Sequence, residues 1–191
     1  NLLRPLTQRL YDSRVTANQV TLFACIVSIL LGLGLYSLQA PSVLFVLIPI
    51  WMFIRMALNA IDGMLAREFK QKSRLGAYLN EVTDVVSDAA LYFPFVLVTP
   101  FSTLQIALVI WLSGLSEMVG ILGQVIGKSR RYDGPMGKSD RAFVFGLLGF
   151  LVGATNILTQ YSTVVYWLMW LIVTLIVWTI IRRIRAGLQD V

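Results

Sequence analysis

Histidine is absent from this chain of 191 residues. Its absence excludes Ser-His-Asp catalysis, His-ligated zinc and His proton shuttles. The single cysteine, Cys25, lies inside an apolar run; it cannot close an intrachain disulfide and reads as a small buried side chain. Charge is scarce too. Only 14% of residues are charged, 10 of them acidic, whereas 57% are hydrophobic. That balance belongs to a membrane protein rather than a soluble one, and the length leaves no room for a second large domain. Chemistry must therefore come from carboxylates, amides, Arg and Lys, a donor set that suits Mg²⁺, Mn²⁺ or Ca²⁺.

The formal charge is +6, but the basic residues stand at the ends of apolar runs. There they meet anionic lipid headgroups or phosphorylated substrates, and nucleic acid is discounted as a partner. The chain opens on Asn1 rather than Met, so further residues are expected ahead of it, with a signal or another extension left open. Leu2, Leu3, Leu6, Leu10 and Tyr11 alternate with Arg4, Arg9 and Arg14, which predicts an amphipathic interfacial helix over residues 1–15. Six apolar segments follow, at about residues 19–39, 42–67, 76–99, 103–127, 140–157 and 161–182. At ~1.5 Å per residue each can cross a ~30 Å hydrocarbon core, the fifth only just. The expectation is an all-α integral membrane fold, a six-helix bundle over residues 16–185 in one domain of residues 1–191. Every Lys and Arg except Arg55 falls at the N-terminus, in the loops at 67–74 and 128–141, or in the C-terminal RRIR. The positive-inside rule puts those four segments in the cytoplasm, with Lys128 and Arg130 as anchors.

Several charged residues interrupt the apolar runs: Arg55, Asp62, Glu81, Asp84, Asp88 and Glu117. Ionised groups there cost several kcal/mol unless paired or wetted, so each is a functional candidate. Five of them sit on the two segments that flank the first basic loop. Asn59, Asp62 and Ala66 share one helical face, and Asn80, Asp84 and Asp88 share another. Counting inward from the loop at ~1.5 Å per residue matches Asn59 with Asp84, Asp62 with Asn80 or Glu81, and Arg55 with Asp88. The deepest level neutralises itself and reads as a structural ion pair. The shallower acids have no nearby Lys, repel one another and call for a cation. An interhelical ion pair alone could also merely hold the bundle together, and intramembrane acids with a counter-Arg also mark small transporters. Against a transport path, the acids gather toward one membrane face.

The stretch from Asn59 to Asp84 resembles the signature of the CDP-alcohol phosphotransferases, Asp-x-x-Asp-Gly-x-x-Ala-Arg followed after eight residues by Gly-x-x-x-Asp-x-x-x-Asp. Here it stands as Asn59, Asp62, Gly63, Ala66, Arg67, Gly76, Asn80 and Asp84, with Asn at two Asp positions. Residues 16–21, TANQVT, resemble the element ahead of the first membrane helix in that family, with Ala17 for Pro. The resemblance implies transfer of a substituted phosphate from a CDP-alcohol, commonly CDP-diacylglycerol, to an acceptor alcohol, with CMP leaving. It assigns Asp84 as the base, Asn59, Asp62, Asn80 and Asp84 as metal positions, and Asn18, Thr21, Asp62, Gly63, Ala66, Arg67 and Gly76 to the CDP moiety. The cofactor is Mg²⁺ or Mn²⁺, as one or two ions. Glu81 could replace a ligand lost to Asn, since each Asn removes one negative charge and weakens such a site. Lys138 and Arg141, near the start of the fifth segment, are assigned to the acceptor or to a lipid phosphate. Thr16 or Asn18 could equally be a plain helix cap, and Gly63 with Ala66 could simply be a close helix contact. The resemblance further implies a homodimer as one assembly; the apolar composition implies membrane lipid as surroundings, the one-domain six-helix layout suits a prokaryotic inner membrane with an organelle left open, and the basic loops give a cytoplasmic active site. A relative that binds nucleotide or lipid with altered or lost chemistry remains the alternative.

Overall fold

A computed structural model describes residues 3–127 and 129–189. Leu2 of the expected interfacial helix and Lys128 of the second basic loop lie outside the described residues. The described residues form helices and no strands. A short helix α1 (Arg4–Asp12) precedes α2 (Ala17–Ser37), α3 (Leu47–Arg67), α4 (Arg74–Tyr92), α5 (Thr103–Ile126), α6 (Lys138–Ala154), the single turn α7 (Ile157–Gln160) and α8 (Ser162–Gln189). Tighter 3₁₀ turns at Ser42–Val46 and Phe93–Leu97 extend the start of α3 and the end of α4.

The boundaries have local causes. Thr16 and Gln19 form a reciprocal capping box that opens α2, and Ser102 with Gln105 does the same for α5. Ser73 Oγ accepts from the Gly76 amide at 2.9 Å and caps α4. Gln39 and Lys70 adopt the left-handed conformation just beyond α2 and α3, where the chain must turn.

Four spans meet the length and apolarity that a membrane crossing needs: Ala17–Ser37, Ser42–Arg67, Thr103–Ile126 and Ser162–Gln189. The remaining two of the six expected segments fall short for different reasons. Helix α4 carries Arg74, Glu81, Asp84 and Asp88 within 19 residues, and α6 has only 17 residues. The distribution of side chains is that of an all-α membrane protein. Phe53, Val125 and Phe143 are each more than 70% exposed on the outer surface, while Arg55, Asp62, Asp88, Glu117, Arg141 and Arg183 are buried inside.

Helix α5 runs against α8, and α2 packs along both α3 and α4. Gly32 permits the α2–α4 contact, because a Cβ there would stand 2.0 Å from the Ala90 carbonyl oxygen. The main apolar core runs from Phe45, Phe95 and Phe101 to Met136 and Ile180; in it Tyr92 stacks on Phe145 at 4.0 Å and Phe95 meets Phe45, Phe101 and Phe145 edge-on. A smaller apolar cluster of Ala17, Val20, Ile61 and Leu65 is covered by α1 through Leu3 and Leu10. Between these clusters α3 and α4 enclose polar groups. Asp62, Asp88 and Glu117 therefore sit inside the bundle.

Candidate active site

The start of α2, the end of α3 and the start of α4 border a cleft of about 940 Å³. Its walls include Asn18, Thr21, Asp62, Gly63, Ala66, Arg67, Gly76, Asn80 and Glu81, so every residue assigned to the CDP moiety lines one cavity. Thr16 supplies the cap of α2, which leaves Asn18 to face the cleft. Thr21 lies one turn further along α2 and donates its hydroxyl to Asp62 Oδ2 at 2.8 Å. Asp62 is only 6% exposed, so this bond fixes how its carboxylate is presented. A Cβ on Gly63 would approach nothing but the Arg67 guanidinium, at 3.1 Å. No neighbouring helix seats on Gly63, and the close-packing explanation fails at this position. Gly76 differs: a Cβ there would come within 2.8 Å of Asn18 Oδ1, so its smallness lets α4 approach α2. Gln71 ties the connection between α3 and α4 to α2 by accepting from the Ala17 amide at 2.7 Å.

Deeper in, two of the three expected levels of α3 and α4 meet, whereas Asp62 bonds to Thr21 and Glu81 to Arg130 rather than to each other. Arg55 Nη1 donates to Asp88 Oδ1 at 2.6 Å, and Asn59 Nδ2 donates to Asp84 Oδ1 at 3.4 Å. Arg55 is shared, however, since its Nη2 also donates to Asp84 Oδ1 at 3.0 Å. The expectation that no lysine neutralises the shallower acids is overturned: Lys138, at the first turn of α6, forms an ion pair with Asp84 Oδ2. Glu81 is likewise paired, with Arg130. Both cations come from the 127–141 region, whose approach to α4 cannot be read from spacing within the α3–α4 pair.

That approach has its own cause. Gly134, at φ 119°, lies so close to α8 that a Cβ would stand 2.6 Å from Thr179 Cγ2, and the Met136 amide donates to Thr179 Oγ1 at 3.0 Å. The docked loop brings Arg130 and Lys138 over a second cavity of about 350 Å³. Asn80, Asp84, Glu117, Tyr132, Ser139, Asp140 and Arg183 also line it, and Asn80 and Tyr132 belong to both cavities. Burial opposes the charge on Arg130, but Glu81, Tyr132 and Glu117 outweigh it and raise its pKa above the ordinary arginine value.

Arg141 departs from its expected contact with an anionic ligand. It is 1% exposed and lines neither cavity. Its guanidinium instead donates to Glu117 Oε1 at 2.8 Å and to the Met136 carbonyl at 3.1 Å. Arg183 was hidden in the C-terminal basic run, yet it is 2% exposed and donates to the Ser116 carbonyl at 2.6 Å. A signal existed: Ile176, Ile180, Arg183 and Gly187 follow helical spacing along the buried face of α8, whereas Arg182 and Arg185 point away.

Residues 14–180 match the family model described as CDP-alcohol phosphatidyltransferase. The chain belongs to this family. It is 48% identical over 189 residues to an inner membrane protein of Escherichia coli (strain K12), YnbA, covering 98% of this chain and 92% of that one. Its fold is similar to that of Mycobacterium tuberculosis phosphatidylinositol phosphate synthase (PgsA1), crystallised with CDP-DAG bound, at a TM-score of 0.73 and 19% identity; the match covers 96% of this chain and 92% of that one.

Within the CDP-alcohol phosphatidyltransferase family the chain departs from the usual signature at Asn59 and Asn80, and the family generally uses divalent metal ions. Among the described residues, no three acidic side chains converge as a metal cluster. The donor chemistry still fits a hard cation, because Asp62, Asp84, Asn59 and Asn80 all offer oxygen. Glu81, expected to make good a lost ligand, gives its carboxylate to Arg130.

Proposed function

We propose that the chain transfers a substituted phosphate, a phosphatidyl group, from a CDP-alcohol such as CDP-diacylglycerol to the hydroxyl of an acceptor alcohol, releasing CMP. The observation that carries the proposal is the pair of adjoining cavities that share Asn80 and Tyr132, with Asp84 in the wall of the smaller. The larger falls in the ~300–1,000 Å³ range of small-molecule sites and collects the signature residues Asp62, Gly63, Ala66, Arg67 and Gly76. Only the Arg67 side chain lies over Gly63, so a nucleotide that engages Arg67 can approach the helix backbone there. Asp84 lines only the smaller cavity, where a second alcohol has access.

In this reading the acceptor oxygen attacks the β-phosphorus of the donor. A P–O bond forms to the acceptor, the P–O bond to CMP breaks, and Asp84 takes the hydroxyl proton. Arg55 and Asn59 hold Asp84 through Oδ1, leaving Oδ2, shared with Lys138, as the oxygen that receives the proton. Asp62 and Asp84, with the amide oxygens of Asn59 and Asn80, would hold Mg²⁺ or Mn²⁺, which when bound neutralises pyrophosphate charge. Arg67 in the larger cavity and Lys138 in the smaller are among the cations that face the phosphates. Helices α4 and α6 complete six crossings of a bacterial inner membrane, and the basic connections give the site a cytoplasmic opening.

The test is CMP release from CDP-diacylglycerol by the purified protein across a panel of alcohols, with Mg²⁺, Mn²⁺ or EDTA. Asp62→Asn and Asp84→Asn should each abolish release while the protein still melts cooperatively. Substantial release by either variant rejects its assigned role. A second reading is favoured by Asn59, Asn80 and the Lys138–Asp84 pair: a relative that binds nucleotide without turnover. Metal-independent CMP binding with no release under any condition would select it.

A further inference from the structure

We infer that the acceptor is a small uncharged polyol, and that Glu117 sets this preference by occupying the anion position within a cluster of three arginines. The inference rests on the proposed transfer reaction and specifies its second substrate.

Glu117 projects from the buried face of α5, and its side chain is 7% exposed. Both carboxylate oxygens are engaged. Oε1 meets Arg141 Nη2 at 2.8 Å and Arg183 Nη1 at 3.4 Å, while Oε2 accepts from Arg130 Nη2 at 3.1 Å. Guanidinium groups from the docked loop, α6 and α8 thus converge on one internal anion. Without it they would form a strong site for a phosphate group.

The smaller cavity is charge-balanced as a result. Arg130, Lys138 and Arg183 line it together with Asp84, Glu117 and Asp140. A phosphorylated acceptor would add about −2 to a balanced wall, or would have to displace a buried carboxylate and leave that carboxylate unpaired. A neutral alcohol meets neither obstacle. Its hydroxyls find hydrogen-bonding groups on Asn80, Tyr132, Ser139 and Asp140, and a cavity of about 350 Å³ is small for a ligand site. The basic loop, which in the sequence looks like a phosphate receptor, is spent on a residue of the protein itself.

The experiment compares acceptors in matched pairs, glycerol with glycerol 3-phosphate and inositol with inositol phosphate, using CMP release by the wild-type protein. A parallel calorimetric titration uses inorganic phosphate as the probe. The neutral member of a pair should be the better acceptor by about tenfold or more, since like-charge placement costs at least the ~1.4 kcal/mol that a factor of ten represents. Inorganic phosphate at millimolar concentration should give no binding heat. Glu117→Gln keeps the shape and removes the charge; it should gain phosphate binding and narrow or reverse the acceptor preference. Preference of the wild-type protein for the phosphorylated member, or saturable phosphate binding to it, overturns the inference. So does a folded Glu117→Gln protein that behaves like wild type in both assays. If that variant fails to fold, the two wild-type measurements decide. Absence of CMP release with every acceptor rejects the proposed reaction instead, and the phosphate titration still decides the charge of the cavity.

Discussion

Thr21→Val isolates one hydrogen bond with little change of shape. The hydroxyl has a single proton and two acceptors in reach, the Ala17 carbonyl at 3.0 Å and Asp62 Oδ2 at 2.8 Å. The charged and closer acceptor takes it. Both side chains are buried, so water does not replace the bond when valine does. A hydrogen bond to a charged group contributes ~1.5–3 kcal/mol. If Asp62 is used in its present orientation, that loss corresponds to a fall of roughly 10- to 150-fold in kcat/KM for the CDP-alcohol. CMP release under donor-limited conditions is the assay, with Thr21→Ser as the control that restores the hydroxyl. Serine should recover most of the activity. The melting temperature of the valine variant should stay close to wild type, because a methyl group replaces a hydroxyl in a position already lined by α2 and α3. Wild-type release by Thr21→Val would refute the view that Thr21 positions Asp62, and an equal loss in Thr21→Ser would show that something other than the hydroxyl matters.

Three other perturbations probe the frame around the site. Asp88→Asn removes the main partner of Arg55, whose side chain is 6% exposed, and should destabilise the protein by ~3–5 kcal/mol in denaturant or thermal unfolding; a change below ~1 kcal/mol would mean that Asp84 alone satisfies Arg55. Gly134→Ala forces a Cβ into Thr179 at a positive φ, and should lower both the melting temperature and CMP release, because the loop that carries Arg130 and Lys138 loses its seat on α8. Unchanged melting and activity would show that the loop docks by other means. Restoring acid at both departures, Asn59→Asp with Asn80→Asp, adds two negative charges beside Asp62 and Asp84 and should lower the Mg²⁺ or Mn²⁺ concentration needed for half-maximal release. No shift in that titration would show that these two positions do not limit metal binding.

The α3–α4 pair was legible because both its faces and its depth follow from helix geometry alone. A rise of ~1.5 Å per residue and a known turn between the helices are enough to match Arg55 with Asp88 and Asn59 with Asp84. Thr21 and Asn18 were legible only through the resemblance, since no spacing rule links α2 to Asp62. Glu117 was recognised as a costly charge, but its partners were not. Arg130, Arg141 and Arg183 lie 13, 24 and 66 residues away along the chain. Basic residues at helix ends usually are interfacial anchors or ligand contacts, and nothing in their spacing points to Glu117.

By itself, then, the sequence determined the helices, their membrane character, the polar stripe on each of α3 and α4 and the family, because these depend on local periodicity, composition and a short contiguous motif. Tertiary structure decided which charges neutralise which. Docking of the 127–137 connection on α8 brings Lys138 to Asp84 and Arg130 to Glu81, while packing of α5 against α8 brings Arg183 to Glu117 and the start of α6 brings Arg141 to it. An ion pair in a membrane protein stabilises only when its partners meet across helices, and that meeting is set by packing rather than by position in the chain.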